Sequence, residues 1–319
     1  CCCGISLPIE CGPSWNPVPS RLPSTRVSLL QQRSMATSTS NNAIRLIVNA
    51  DDYGYFQSVS QGILDAADKG MVNATGIMAT GQCLDEMLPL LAANTRLDAG
   101  VHLNLTYGEP VTVAMRQVLE NWGGRYPGKY KMALAILSGK IPLNVIEQEL
   151  ASQVEYCGQG GTTLHFLNSH QHIHMLPSIY RMTLSLARRF SIPFVRHTTA
   201  DWTGYPGAGD IVRNSIIQVL GSMSSKADSP SRVTCIGVGR SGKLDLGYLR
   251  KLFVQLQPGK VYELMCHPGY FNPAEILDTQ LIGYHAWDAE YALLTGEGMQ
   301  QLCGEYSIQL TRYRDLLDQ

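Results

Sequence analysis

The chain has 319 residues, 45% of them hydrophobic and 16% charged, with 25 Lys plus Arg against 26 Asp plus Glu and a formal net charge of −1. That length suffices for one large buried core, the size of a single α/β barrel of about 250 residues. The balance of charge excludes a broad attraction to nucleic acid or to an anionic membrane, and no apolar run of about 18 residues offers a membrane span. A small neutral or weakly charged ligand fits better.

Residues 1–42 come first and are rich in Pro and Ser, without sustained periodicity or the apolar region of a signal peptide. Met35 followed by ATSTSNN resembles a natural start, so residues 1–34 read as upstream sequence or a targeting extension. The whole of 1–42 is expected to be irregular or disordered, and 43–319 to form one domain. Of nine cysteines, Cys1, Cys2, Cys3 and Cys11 crowd the beginning, while Cys83, Cys157, Cys235, Cys266 and Cys303 are widely spaced and no CxxC pair occurs. This pattern predicts free thiols in a reducing compartment, hence a cytoplasmic location.

From Ile44 the pattern changes. IRLIVNA is a short β-branched apolar run ending in DDYG, and Val59, Ile63, Leu64 and Ala67 follow at helical spacing. The same strand, loop and helix unit recurs as NATGIMAT then CLDEMLPLLAANT, as DAGVHLNLT then IPLNVIEQELASQVEYC, and as TTLHFLNSH then SIYRMTLSLARRF. Later come IPFVRH, SRVTCIGVG with LDLGYLRKLFVQL, GKVYELMCHPG, and a last helix in DAEYALLTGEGMQQL. Strands alternating with helices predict a parallel sheet, and about seven such units favour a barrel over a doubly wound sheet. No GxGxxG follows the first strand, which weakens a dinucleotide-binding reading.

In either architecture ligands bind beyond the carboxyl ends of the strands, and the polar residues fall there. Asp51 and Asp52 close the first strand; His102 lies in GVHLNLT; Asn168 and His170 close LHFLNSH; Arg196 and His197 close PFVRH; His267 closes YELMCHPG. Adjacent aspartates cannot both cap a helix, so the pair is a candidate ligand plus base. One carboxylate with two imidazoles is a common open catalytic set for a divalent ion, and Asp52, His102 and His170 supply it. In NSHQHIHMLP, the alternation of His170, His172 and His174 would bring all three imidazoles to one side if the stretch were extended. A hydrolase keeps a coordination position for water, so His172 and His174 are assigned to supporting or substrate-facing positions. Arg196 is placed to fix a nearby carboxylate, and His267 suits a proton donor near neutral pH. His165 has no visible partner and reads as core.

The motifs LIVNADDYG at 46–54, GVHLNLT at 100–106, NSHQHIHMLP at 168–177 and CHPGY at 266–270 together resemble the YdjC-like carbohydrate deacetylases. That family includes the chitooligosaccharide deacetylases, and the resemblance spans about residues 44 to 315. It implies a distorted TIM-like (β/α) barrel that removes acetyl groups from N-acetylated sugars and releases acetate. By the resemblance, Asp52, His102 and His170 bind the metal, Asp51 is the general base and His267 the general acid, with Asn168, His172, His174 and Arg196 at the substrate or behind the ligands. The ion is magnesium by resemblance, while zinc suits the donors chemically; a homodimer is also implied. The chain departs from the family pattern at Asn168, where relatives usually carry Asp, and at Gln171, where they commonly carry His. Two alternatives remain: a catalytically silent sugar-binding barrel, or a metal-dependent hydrolase acting on another amide or an ester.

Overall fold

The computed structural model describes residues 42–201, 208–223 and 233–317, so the expected extension over 1–42 lies, apart from Asn42, outside the described residues. All the described residues fall in one unit, Asn41–Gln319. Its elements are β1 (Ile44–Tyr53), α1 (Gln57–Lys69), β2 (Ala74–Ile77), α2 (Leu84–Ala93), β3 (Asp98–Leu103), α3 (Val113–Val118), α4 (Lys129–Leu137) and α5 (Leu143–Cys157). They continue with β4 (Leu164–Ser169), α6 (Pro177–Arg189), β5 (Phe194–Val195), α7 (Ala208–Met223), β6 (Val233–Ile236), α8 (Leu246–Phe253), β7 (Val261–Cys266), α9 (Thr279–Tyr284), α10 (Trp287–Thr295), α11 (Glu297–Glu305) and β8 (Ile308–Leu310). Each of the seven strands read from the sequence is present. The eighth was not anticipated, because three residues are too few to show a period.

Every strand pairing is parallel, in the order β5-β4-β3-β2-β1-β7-β6, with β8 pairing the Ile44–Leu46 stretch of β1. Beyond that stretch β2 takes over, from Asn49 onward. The order places β5 four strands from β1, about 19 Å away in a flat sheet at the usual ~4.8 Å spacing. Yet Arg196, the residue after β5, donates to Asp51 on β1 at 2.7 Å. The sheet is therefore curled until its far strands face each other across an interior. No β5 to β6 pairing is present among the described residues, so the curl is that of a distorted, part-open barrel with helices outside.

Alternation along the strands sorts residues between the helix side and the interior. On β1, Leu46, Val48 and Ala50 join the large core packed under the helices, whereas Ile47 belongs to a separate interior cluster with Ala74, Phe166, Phe194, Val233, Val261 and Tyr313. This interior layer plugs the bottom of the barrel. Tyr313 closes it by stacking on Phe166 at 4.5 Å, and burial of such side chains contributes about 1.5 to 3 kcal/mol each. Gly100 makes the layer possible, since a Cβ there would lie 2.5 Å from the Phe166 ring. Two residues further up β1 the interior position is Asn49, and two further it is Asp51; on β7 the same step leads from Val261 to Glu263. The interior thus turns from apolar to polar toward the carboxyl ends.

A second polar cluster fixes the long segment after β3. Glu149 on α5 accepts hydrogen bonds from the backbone of Val111 (2.9 Å) and Thr112 (2.8 Å), from the Thr112 hydroxyl (2.7 Å), from Tyr126 (2.9 Å) and from Gln153 (2.9 Å). Gln153 in turn holds Asn104 by both its backbone N–H and its carbonyl. One buried carboxylate therefore anchors the polar loop to the helix beneath it.

Candidate metal centre

Adjacent residues on a regular strand point to opposite faces, which would send Asp51 inward and Asp52 out among the helices. The structure avoids this with a bulge. Ala50 pairs with Thr75 but Tyr53 pairs with Ile77, so β1 spends one residue more than β2 over the same span. Asp52 takes the extra step in the left-handed region, φ 73. Such a conformation costs about 1 to 3 kcal/mol and persists where the surroundings over-determine it. As a result both carboxylates flank one imidazole: Asp51 Oδ1 lies 3.6 Å from His102 Nδ1, and Asp52 Oδ1 lies 3.2 Å from His102 Nε2.

His170 completes the group, with its Nδ1 3.0 Å from the same Asp52 oxygen. Asp52, His102 and His170 are all buried and each offers a ligand atom within 4.8 Å of the others. Two ring nitrogens converging on one carboxylate oxygen must each bring an N–H to it or share a metal ion with it. His170 Nε2 is buried without a hydrogen-bond partner among the described residues, and two imidazoles with one carboxylate are a donor set that zinc and its neighbours favour. The residues present therefore fit a divalent ion. With no ion bound, burial opposes charging His102, but the Asp51 and Asp52 carboxylates outweigh it and raise its pKa. Burial likewise works against ionised Asp52, and the two imidazoles nevertheless hold it well below the usual carboxylate range.

Asp51 is held differently. Arg196 donates Nη1 to Oδ2 at 2.7 Å and Nη2 to Oδ1 at 3.0 Å; Asn49 and Asn168 each donate an amide N–H to Oδ1, at 2.8 and 2.9 Å. Burial would push its pKa up, but the Arg196 guanidinium dominates and keeps Asp51 ionised far below the ordinary value. Arg196 also donates to Glu263 through Nε at 2.9 Å and through Nη2, so one buried cation links two buried carboxylates.

His170 begins a short 3-10 turn, His170–Met175, rather than continuing the strand. Gln171 and His172 there adopt φ 53 and φ 57. The three histidines accordingly do not share a face. His174 turns to Ser169 Oγ (2.6 Å) and donates to the Arg196 carbonyl (2.9 Å), while His172 Nδ1 lies 3.3 Å from Thr198 Oγ1. Burial pushes His174 down to about 3 and His172 well below its ordinary value, which keeps both rings neutral.

His267 stands on the opposite side, close enough to Asp51 to help lower its pKa. Its backbone N–H donates to the buried Glu290 at 2.6 Å, and its Nδ1 has no hydrogen-bond partner among the described residues. The loop carrying it is pressed onto α1: a Cβ on Gly62 would lie 2.5 Å from the Gly269 Cα. His285, which the sequence did not single out, packs on His267 at 4.9 Å and stacks on Trp287 at 4.9 Å; burial lowers it to about 3. Tyr55, three residues after Asp52, sets its ring edge-on to His170 at 5.9 Å. Glu263, a lone charge inside the apolar run VYELMC, carried a signal that could have been read. Tyr55 and His285 had none, since neither spacing nor strand end marks them.

A model of the YdjC-like protein family matches residues 45–305. A carbohydrate deacetylase of Listeria monocytogenes serotype 4a (strain HCC23) is 26% identical over 274 residues, covering 86% of this chain and all 100% of that protein. A carbohydrate deacetylase of Geobacillus stearothermophilus is 27% identical over 273 residues, covering 84% of this chain and 96% of that protein. Among solved structures, one from Enterococcus faecalis V583, provisionally named a cellobiose-phosphate cleavage protein, aligns with a TM-score of 0.65 at 22% identity. The alignment covers 86% of this chain and 99% of that one. Among the described residues no helix is long and apolar enough to cross a membrane.

Proposed function

The chain belongs to the YdjC-like protein family, and from that premise we propose that it is a metal-dependent carbohydrate deacetylase acting on N-acetylated sugars of the chitooligosaccharide type. The observation that carries this reading is the convergence of Asp52, His102 and His170 beside a separate carboxylate, Asp51, that Arg196 keeps ionised. The deacetylase relatives support the substrate class. Asp52, His102 and His170 would hold the ion, magnesium by family resemblance and zinc by the chemistry of its donors. When bound, such an ion supplies Lewis acidity and an activated water at neutral pH.

Asp51 is the general base. Among the described residues its Oδ2 has Arg196 as its one donor and keeps a lone pair for the proton of the attacking water, whereas Oδ1 already accepts three hydrogen bonds. His267 is the general acid, giving a proton to the departing amine as the C–N bond breaks and acetate forms. Arg196, itself steadied through its carbonyl by His174, fixes the direction of Asp51. Among the described residues the cysteines Cys83, Cys157, Cys235, Cys266 and Cys303 are free, which supports a reducing, cytoplasmic setting.

Elemental analysis of the purified protein, combined with acetate release from N-acetylglucosamine oligomers, tests the proposal. Release that stops with a chelator and returns with a divalent ion is expected. A metal-loaded protein that binds the oligomers and releases no acetate would overturn it in favour of a binding module.

A further inference from the structure

Asn168 at the end of β4 is fully buried and joins the two halves of the centre. Its Oδ1 lies 2.8 Å from His102 Nδ1, and its Nδ2 lies 2.9 Å from Asp51 Oδ1. The reverse amide orientation would set a carbonyl oxygen against a carboxylate, so the neighbours decide which way the amide points. A carbonyl oxygen has no proton to offer, and the hydrogen on that side must sit on His102 Nδ1. A neutral His102 then presents the Nε2 lone pair toward Asp52. On the other side, Asn168 is one of three donors to Asp51 Oδ1, beside Asn49 and Arg196, and so leaves Oδ2 the freer oxygen.

The packing under this bridge has no slack. A Cβ on Gly76 would stand 3.1 Å from His102 Cβ, 3.2 Å from Asp51 Oδ1 and 3.3 Å from Asn168 Oδ1. All three groups crowd the space a methyl would take. We propose that Asn168 is the positioning residue that sets both parts at once: its carbonyl orients His102 as a metal ligand, and its N–H turns Asp51 so that Oδ2 faces the reaction. Only a carboxamide of this size carries an acceptor and a donor in one fork. Aspartate keeps the acceptor alone, and leucine keeps neither.

The first role requires only metal binding; the second rests on the deacetylase reading above. Wild type, Asn168→Leu and Asn168→Asp are compared by Zn²⁺ calorimetry, by the visible spectrum of the Co²⁺-loaded protein and by kcat and KM for acetate release, with circular dichroism as the check on folding. Asn168→Leu should weaken Zn²⁺ binding about 10- to 100-fold, the usual effect of removing a group that orients a ligand, and alter the Co²⁺ spectrum. Asn168→Asp should keep both close to wild type while kcat falls about tenfold or more at unchanged KM, because the hydrogen bond to Asp51 Oδ1 is replaced by a contact between two carboxylates. Unchanged Zn²⁺ affinity and Co²⁺ spectrum in folded Asn168→Leu would overturn the first role, as would loss of Zn²⁺ binding in Asn168→Asp. An unchanged kcat in Asn168→Asp would overturn the second. A wild type that binds Zn²⁺ yet releases no acetate would sink the deacetylase reading and with it the second role, and the Zn²⁺ results would still decide the first.

Discussion

Glu149 accepts hydrogen bonds from two backbone amides, a hydroxyl, a phenol and a carboxamide, and the Gln153 and Asn104 side chains beside it are likewise paired at every polar end. Around Asp51 and Asp52, buried just as deeply, the His170 Nε2 and the Nδ1 atoms of His267 and His285 have no partner among the described residues. A buried polar atom left unpaired costs about 1 to 3 kcal/mol. The first cluster has spent its donors and acceptors on holding a loop. The second keeps several in reserve, and that reserve is what a bound ion and substrate would use. Completeness of pairing, more than burial or charge, separates the structural cluster from the functional one.

The sharpest way to break this contrast is at Asp52. Asp52→Ala removes the oxygen on which both imidazoles converge, and it should strip the metal and lower turnover about 10,000-fold, the several kcal/mol a Lewis-acid ion supplies. Metal analysis and acetate release check both, and an Asp52→Ala protein that retains the ion contradicts the centre. Asp51→Asn is the next step down. It should keep metal content and lose about 1,000-fold in kcat, within the range of general base catalysis; near-normal turnover rules out Asp51 as the base. Glu149→Gln probes the other cluster. Turning one acceptor oxygen into an amide donor among five donors should cost about 1 to 3 kcal/mol in urea unfolding while Zn²⁺ affinity stays put. If Glu149→Gln loses the metal instead, the two clusters are not separate.

How much of this was legible in sequence depends on whether the signal is periodic. The strands were, as short apolar runs, and so were the polar ends of five of the seven, closed by or carrying Asp, Asn, His or Arg, which chain order then brings to one rim. Asp51 and Asp52 were legible as a pair, but not the bulge and positive φ that turn both toward His102. At NSHQHIH the alternation would have aligned three imidazoles only in an extended chain, and the chain makes a 3-10 turn at residues 170–175 instead. Tyr55 and His285 arrive through the curl of the sheet and the path of a loop, which no local pattern encodes. Asn168 was visible as a departure, while its two-way bridge needed the positions of His102 and Asp51.

The same contrast predicts a pH response. His174 is paired at both nitrogens as a neutral ring, and its pKa falls from the ordinary value to about 3 through burial. In the unfolded chain it titrates near 6.5. Between about pH 6.5 and 3 the unfolded state therefore binds a proton that the folded state refuses, so stability is full above that window and is lost as pH falls, by about 1.4 kcal/mol per unit for one group. His172 and His285, also lowered chiefly by burial, act in the same direction. His102, raised by its carboxylates, opposes them in metal-free protein, and Asp51 enters only below about pH 4, because its folded pKa is depressed from that value. Urea midpoints of chelator-treated protein should thus drop from pH 6.5 to 4.5, with Glu290 and Asp201, whose pKa values burial raises, opposing the histidines at the acid end. His174→Gln should be shallower over that interval by up to one proton, whereas a wild-type midpoint that stays flat would mean the buried histidines are charged after all.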